Sequence, residues 1–599
     1  MPRLFIIDHS LKRPGGHHLD YTLLIAKAAV EQGLETIVGT HKKFKLHSLF
    51  PHSCQIHNVF RQTTYSPLAH FQKVNRLTGK IGDDPAKNRV AINHAAQKES
   101  YFKRGWHELS WRRQVATFAQ DLHGFFKDVR FQDTDRVFLP TVSEIDLEGL
   151  AAFLNQHNRS YVPDWHVQFH FNLFVGRTPE YEFQEGFVSE TRQRLLSAMK
   201  QIQQHQVRLW ATSDTLVEQF EKLQFAPISE LIYPIDPEFR KRQHPQQRSQ
   251  TLRVTCAGGV RQEKGQQSLY QLLRLLWDGF VKPERVKFVV QRKPRSCIRR
   301  QQLAMNNVNS HLDHESIESA IEWVPHPLPK EDYAELIRNT DIGLLMYDSR
   351  VYFSRRAGVL GEYLTAGKPV LVPAGCWLAD QIAEPNFAYI QQLLTSAQKQ
   401  NQIRVESADW GNNAAAQLGH LVVGKDEKLQ PHSFISTRGQ SSGIILSFDF
   451  LEPLSRGYYL KIQVSQHDQY GNKVDQETQI TGRHKQSEKN LHFIRLHPQT
   501  HDISVRFSNA YEDSLLLLSE IAVYHLLDKS ASAQDRPLGA VGLIAADLGQ
   551  VPRLLNDMVN NYEHYRQSAD VFSANWFDRH NPTESVRQLV APNRMSKAA

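Results

Sequence analysis

The chain has 599 residues, 40% hydrophobic and 22% charged, too many for one hydrophobic core and too ordinary in composition for a disordered or fibrous protein. Lys and Arg exceed Asp and Glu by 71 − 63 = +8, a mild excess that suits anionic small molecules or an acidic membrane surface and argues only weakly for nucleic acid. Cys54, Cys256, Cys297 and Cys376 stand far apart with no C-x-x-C, no zinc-knuckle or RNA-binding aromatic motif is present, and no apolar run suits a signal or a membrane span. Two to four domains, a reducing cytoplasmic setting, no metal and no nucleic-acid partner are the expectation.

The first elements alternate strand and helix. "RLFIID" reads as a strand, "HSLKRPGGHH" as a glycine-containing loop, "LDYTLLIAKAAVEQG" as an amphipathic helix closed by Gly33, and "ETIVG" as the next strand. That order implies a parallel sheet with a right-handed crossover. "RVFLP" (136–140), "WHVQFHF" (165–171) and "VRLWATS" (207–213) repeat it, so residues 1–232 are predicted to be one doubly wound, Rossmann-like domain. Within it, 87–122 is basic with interleaved aromatics. It reads either as a helix resting on a membrane surface or as a solvated helical face packing through Phe102, Trp106 and Trp111.

After the polar stretch "KRQHPQQRSQ", a second run of strands follows: "TLRVTCAGG", "VKFVVQ", "IEWVPH", "DIGLLMYD" and "KPVLVPA", with helices such as "KEDYAELIRNT" between them. This predicts a second doubly wound domain over 233–400 and a cleft between the two. Past 400 the segments alternate or run apolar between turn signals such as "QYGN", so 425–530 reads as an inserted β-sandwich. Its Tyr458, Tyr459 and Tyr470 suit either sugar stacking or core packing. Residues 535–599 return to the α/β part, with "AVGLIA" as one more strand of the second sheet and helices to close.

Two stretches of the second α/β domain carry chemistry. In "RRAGVLGEYLTAGKPVLVPAG" (355–375), a helical step puts Val359, Leu360, Tyr363, Leu364 and Ala366 on one arc and Gly358, Gly361, Glu362 and Thr365 on the other. The second arc is nearly bare, so a ligand can lie close to the backbone with Glu362 as its polar contact. Arg355 and Arg356 stand at the helix start, where free N–H groups favour an anion. In "CAGGVRQEKGQQSLYQLL" (256–273), Gly258 and Gly259 permit close backbone approach, and Arg261 and Lys264 supply positive charge. Neither G-x-G-x-x-G nor G-x-x-x-x-G-K-[ST] is present. A plain polar turn is the alternative reading.

"GGVRQEKG", "IDPEF", "YAELIRNTDIGLLMYD" and "GVLGEYLTAGKPVLV" occur in the order seen in GT-B glycosyltransferases, and the chain most resembles the retaining glycosyltransferase family four. The resemblance spans roughly 1–400 and 535–599 and is strongest over 251–375. It implies two Rossmann-like domains facing a cleft and transfer of a sugar, with retention, from a nucleotide-sugar to a saccharide or lipid-linked acceptor. It also implies Arg261 and Lys264 on the diphosphate, Glu362 on the ribose and the N–H groups of Gly358, Val359 and Leu360 on the phosphate. His170, at a strand end, falls near the sugar. No cofactor or metal is implied, and peripheral contact with a membrane remains an option.

Gly15 and Gly16, followed by His17 and His18, read either as an acceptor or phosphate loop of the first domain or as a plain loop with surface histidines. Two departures stand out. Ser354 occupies the place of the family's first glutamate, eight positions before Glu362, and Arg261 sits closer to Lys264 than the family pattern has it. The first leaves two alternatives open: a glycosyltransferase-like protein that binds nucleotide or glycan without transfer, and a GT-B-type sugar epimerase.

Overall fold

The computed structural model describes residues 2–591 apart from 14–16, 81–84, 98–100, 157–162, 242–250, 260–261, 267, 293–313, 408–409, 411–420, 425–429, 452–459, 482–488, 510–514 and 529–534. The chain divides into two compact units. The first comprises residues 1–237, 354–358 and 576–599, the second 238–353 and 359–575.

In the first unit, β1 (Arg3–Asp8), β2 (Glu35–His41), β3 (Gln55–Phe60), β4 (Arg136–Val142), β5 (Asp164–Phe169), β6 (Val207–Ala211) and β7 (Ile228–Glu230) form one parallel sheet ordered β3-β2-β1-β4-β5-β6-β7. β1 and β4 are near-continuous apolar runs because helices cover both faces of the sheet. The helix His17–Glu31 ends before Gly33, whose φ of +77° suits a residue without a Cβ. Strand order reverses between β1 and β4, which makes the carboxyl ends of those strands a topological switch point. The last helix, Pro582–Val590, belongs to this unit: Val586 and Leu589 share a core with Leu4, Ile6 and Leu23.

The basic stretch 87–122 forms parts of two helices, Pro85–Gln97 and Tyr101–Phe125. Trp111 packs as expected: its indole N–H donates to Glu148 at 2.8 Å, and the Arg194 guanidinium lies 4.0 Å from its ring. Trp106 does not pack, being 75% exposed, so that part of the packing expectation is corrected. The side chain of Phe102 lies outside the described residues.

In the second unit, β8 (Leu252–Cys256), β9 (Val286–Arg292), β10 (Ile321–Pro325), β11 (Ile342–Leu344) and β12 (Val370–Pro373) are parallel in the order β10-β9-β8-β11-β12. The chain then forms the antiparallel strands β13 (Ile403–Ser407), β14 (Leu421–Val423), β15 (His432–Ser436), β16 (Gly443–Asp449), β17 (Leu460–His467), β18 (Lys473–Ile480), β19 (Lys489–Arg495), β20 (Asp502–Asn509), β21 (Leu516–Leu518) and β22 (Ala522–Leu526). These make two four-stranded sheets, β13-β22-β16-β19 and β15-β20-β17-β18, and the short pair β14-β21. Ile444 and Leu446 of one sheet and Ile462, Val464 and Ile503 of the other lie in one hydrophobic cluster. The antiparallel part begins at β13, ahead of 425, because the five-residue alternation of "IRVES" is too short to announce itself. The chain then returns as β23 (Gly542–Ala545), parallel to β12 at the edge of the first sheet of this unit.

Candidate functional site

The second parallel sheet has its own switch point, between β8 and β11. Two groups of residues meet at the carboxyl ends of these strands. β8 leads into Gly258 and Gly259, with φ of +83° and +66°, and then into the short turn Gln262–Lys264. β11 leads into Met346, Tyr347 and Asp348, and the Asp348 N–H donates to the Glu263 carbonyl at 3.0 Å, tying the two segments together.

The helix Gly358–Thr365 is seated over this point by Tyr363. Its ring lies against Gly343 of β11, where any Cβ would come within 2.8 Å of it, and its hydroxyl donates to the Thr255 carbonyl of β8 at 2.9 Å. Gly367, φ +65°, ends the helix, with the Gly367 N–H on the Leu364 carbonyl and the Lys368 N–H on the Tyr363 carbonyl. Glu362 is thereby held half-buried one turn from the helix start. The Tyr333 hydroxyl, from the helix Lys330–Arg338, donates to its carboxylate at 2.5 Å. Burial, and then the Glu362 charge, push the Tyr333 phenol well above the usual range, so it stays a donor. Nothing in the sequence pattern singled out Tyr333, because the contact joins helices 29 positions apart.

Lys264 Nζ donates to the Gly258 carbonyl at 2.9 Å and stands 5.3 Å from the Tyr347 ring. A Cβ on Gly258 would lie 2.8 Å from Lys264 Nζ and 2.5 Å from Val359 Cγ2. The glycine turn, the ammonium and the first turn of the helix are therefore immediate neighbours. The first N–H groups of a helix have no partner within it and favour an anion. Ammonium, helix start and carboxylate thus form one polar cluster at a strand-order reversal.

The glycines serve this packing more than they open the backbone to a ligand. The N–H groups of Gly258 and Gly259 donate to Gln291 Oε1 at 2.8 and 3.2 Å, and a Cβ on Gly259 would meet the His326 ring at 2.7 Å. The arc expected to be bare is partly filled: Gly361 and Thr365 are buried, and only Gly358 is exposed. Arg261 lies outside the described residues.

Arg355 and Arg356 fall in the first unit. The Arg356 guanidinium stands 5.1 Å from the Tyr233 ring, and burial lowers its pKa to about 10. Ser354 is fully buried in the same unit. Its hydroxyl accepts from Gln219 at 2.6 Å and donates to Asn172 at 3.1 Å, and its carbonyl accepts from Ser213 at 2.6 Å.

At the switch point of the first unit, Asp8 accepts from Thr22 at 2.9 Å and from the Ser10 N–H at 3.1 Å. It also pairs with His18 Nδ1 at 3.1 Å, and His18 Nε2 lies 3.0 Å from the Tyr65 hydroxyl. Beside it, buried His9 lies 3.1 Å from Asp146, which accepts from Ser143 and Thr64. Burial pulls the His9 imidazole down, but Asp146 and Asp8 more than offset it, so its pKa is raised. Sequence reasoning missed Asp8, His9, Asp146 and Tyr65; polar residues just where two parallel strands end were the available signal. Gly15 and Gly16 lie outside the described residues, and His17 begins the helix.

His170 packs against the rings of Tyr21 and Tyr233, with centroids at 5.8 and 6.2 Å. Burial lowers its pKa to about 3, so it is neutral and supplies no positive charge.

Among the described residues no group of three or more His, Cys, Asp and Glu is placed to hold a metal ion, and no helix is long and apolar enough to cross a membrane.

No family model and no curated protein matches the chain. Solved structures overlap with it in part. An alpha,alpha-trehalose 6-phosphate synthase from Burkholderia multivorans shares 9% identity over 64% of this chain and 86% of that one, with a TM-score of 0.42. The N-terminal domain of a trehalose-6-phosphate phosphatase from Candida albicans shares 13% over 64% and 85%, TM-score 0.42. A trehalose-6-phosphate synthase, OtsA, shares 10% over 63% and 86%, TM-score 0.40. At this identity and overlap they say nothing about which residues act.

Proposed function

We propose that the chain is a retaining GT-B glycosyltransferase that moves a sugar from a nucleotide-sugar to a saccharide or lipid-linked acceptor. The observation that carries this is the cluster at the β8/β11 switch point: Lys264 beside the first helical turn at Val359, with Glu362 one turn on and oriented by Tyr333. A nucleoside diphosphate offers the matching groups, two phosphates for the ammonium and the helix start, and a ribose diol for the carboxylate. Arg261 adds a second positive charge to the same turn in this reading.

The leaving diphosphate gains negative charge as the bond to the sugar breaks, and preorganised positive charge is the main way to stabilise it. Lys264 and the helix start provide that here, with no metal or cofactor required by the reading. The acceptor hydroxyl attacks from the face the diphosphate leaves, and a phosphate oxygen takes its proton. We assign acceptor binding to the first unit, where His18, held by Asp8, is the best-oriented polar group.

We read the two antiparallel sheets as a β-sandwich inserted between β12 and β23. We place the reaction in the cytoplasm. Exposed Trp106 and Leu109, near Arg112 and Arg113, are the surface a peripheral membrane contact would use.

The buried setting of Ser354 favours a second reading, in which the protein binds the nucleotide or a glycan without transfer. Incubation with a panel of nucleotide-sugars separates these. The transferase releases nucleoside diphosphate, and Glu362→Ala abolishes that release. A binder only shifts its melting temperature, and an epimerase interconverts the sugars. Unchanged donor affinity in Glu362→Ala would contradict the site assignment.

A further inference from the structure

The antiparallel sheets of the second unit carry a linked row of side chains away from the β8/β11 switch point. Ser441 Oγ lies 3.1 Å from His525 Nδ1, and His525 Nε2 lies 2.8 Å from Glu406 Oε1. A hydroxyl, an imidazole and a carboxylate are joined in that order, the arrangement that turns a serine into a nucleophile.

Separate segments build this row. Arg404 of β13 pairs with His525 of β22, so Glu406, two residues along β13, projects on the same face as Arg404. Ser441 comes from the turn between β15 and β16, where Arg438 and Gly439 have φ of +52° and +59°. The Gln440 N–H closes that turn on the Thr437 carbonyl at 2.9 Å. The Ser442 N–H ties it to the Leu526 carbonyl, next to His525, at 2.9 Å.

A carboxylate only accepts hydrogen bonds, so Nε2 carries the ring proton and Nδ1 is left as the acceptor for the Ser441 hydroxyl. Burial is the main reason the imidazole is held below its usual range, so the ring is neutral at pH 7 and able to take a proton. Arg404 Nη2 stands 3.2 and 3.4 Å from the two ring nitrogens, nearly equidistant, and its Nε–H is buried with no partner among the described residues. Positive charge is therefore in place near the serine for an oxyanion. His525 is fully buried and Ser441 half-buried, so a ligand meets the serine and not the imidazole.

We propose that Ser441, His525 and Glu406 form a second active centre, which cleaves a carboxylic ester. Ser441 Oγ bonds to the ester carbonyl carbon, and its proton passes to His525 Nδ1. The bond to the alcohol oxygen breaks, and the alcohol leaves with that proton. Water then repeats the step. Its oxygen bonds to the acyl carbon, one of its protons passes through Nδ1 to Ser441 Oγ as that bond breaks, and a carboxylic acid is released. Glu406 is a positioning residue that holds the tautomer. An ester fits better than an amide, because an alcohol leaves more readily than an amine and this imidazole has no exposed surface to reach a poor leaving group. The centre does not depend on the nucleoside-diphosphate reading.

The test is incubation of the full chain with a fluorophosphonate probe, with the labelled peptide read by mass spectrometry, alongside cleavage of para-nitrophenyl acetate. The expected label sits on Ser441. Ser441→Ala loses both label and cleavage, and Glu406→Gln slows cleavage by on the order of 100-fold, in kcat rather than KM. No label, label only on another residue, or equal cleavage in Ser441→Ala and wild type overturns the proposal. An unchanged kcat in Glu406→Gln overturns the positioning role. The site of labelling in the wild type decides the matter even where a variant fails to fold.

Discussion

Ser354 shows how much a single position can turn on its surroundings. Replacing it by glutamate would restore the pattern of the resembled family on paper, but the side chain is fully buried among Gln219, Asn172 and Ser213. None of these partners is a cation, so Ser354→Glu is expected to destabilise the protein by roughly 3 kcal/mol or more, read as a lower denaturant midpoint, without gain of activity.

Glu144 gives a pH-dependent counterpart. It is buried among Phe71, Phe169 and Phe171, its carboxylate accepts the His70 N–H at 2.5 Å, and burial raises its pKa from 4.5 to about 7. The folded state holds this proton more tightly than the unfolded chain. The stabilising contribution is therefore complete below about pH 4.5 and is lost as pH rises towards 7. The loss comes to about 3 kcal/mol. Glu144→Gln keeps a carbonyl acceptor and cannot ionise, so its stability relative to wild type should rise between pH 5 and 8; a parallel pH profile would contradict this. Of the residues at this scale, Glu362 and Lys264 stood out in the sequence because charged residues sit beside glycines in their stretches. Tyr333, Tyr347 and Ser354's partners were not, because each meets its contact through tertiary packing.

At the scale of elements, buried carboxylates tie the antiparallel sheets to the closing helices of the second unit: Glu477 of β18 pairs with Arg553, and Asp557 pairs with Arg495. Asp557, on the helix Val551–Asn560, is fully buried and accepts from Arg495 of β19 at 2.5 Å, from the Tyr565 hydroxyl at 2.5 Å and from the Leu538 N–H at 3.1 Å. Removing it takes the counter-charge from the Arg495 guanidinium and leaves it the Arg536 carbonyl as acceptor. Asp557→Ala is expected to cost about 3–5 kcal/mol, and proteolysis near β19 should quicken; an unchanged melting curve would argue that the lock is redundant. The parallel strands were readable because strands buried on both faces become nearly unbroken apolar runs, as in β1 and β12. β3 was missed for the opposite reason: its sequence "QIHNVF" is mostly half-exposed at a sheet edge and carries neither a run nor a clean alternation. The helix containing Trp106 shows the limit of reading aromatics as packing groups, since periodicity does not say which face has a partner.

At the scale of the whole molecule, two sheets share the same order, with the chain reversing beside the first strand of each, and polar residues gather at both reversals. The second sheet is completed by β23, 169 residues after β12 ends (542 − 373), so the fold needs the return segment to close its edge. That each half carries a parallel sheet was legible in the sequence; the membership of residues 354–358 in the first unit was not, because it depends on contacts such as that of Ser354 with Ser213, 141 positions away.

The central claim is that Lys264, the start of the helix Gly358–Thr365 and Glu362 hold a nucleoside diphosphate. A crystal of the full chain soaked with uridine or guanosine diphosphate tests it most directly. The account predicts density for two phosphates against Lys264 Nζ and the Val359 and Leu360 N–H groups, with the ribose hydroxyls on Glu362. Density seated elsewhere, or a site left vacant at saturating ligand, would contradict it.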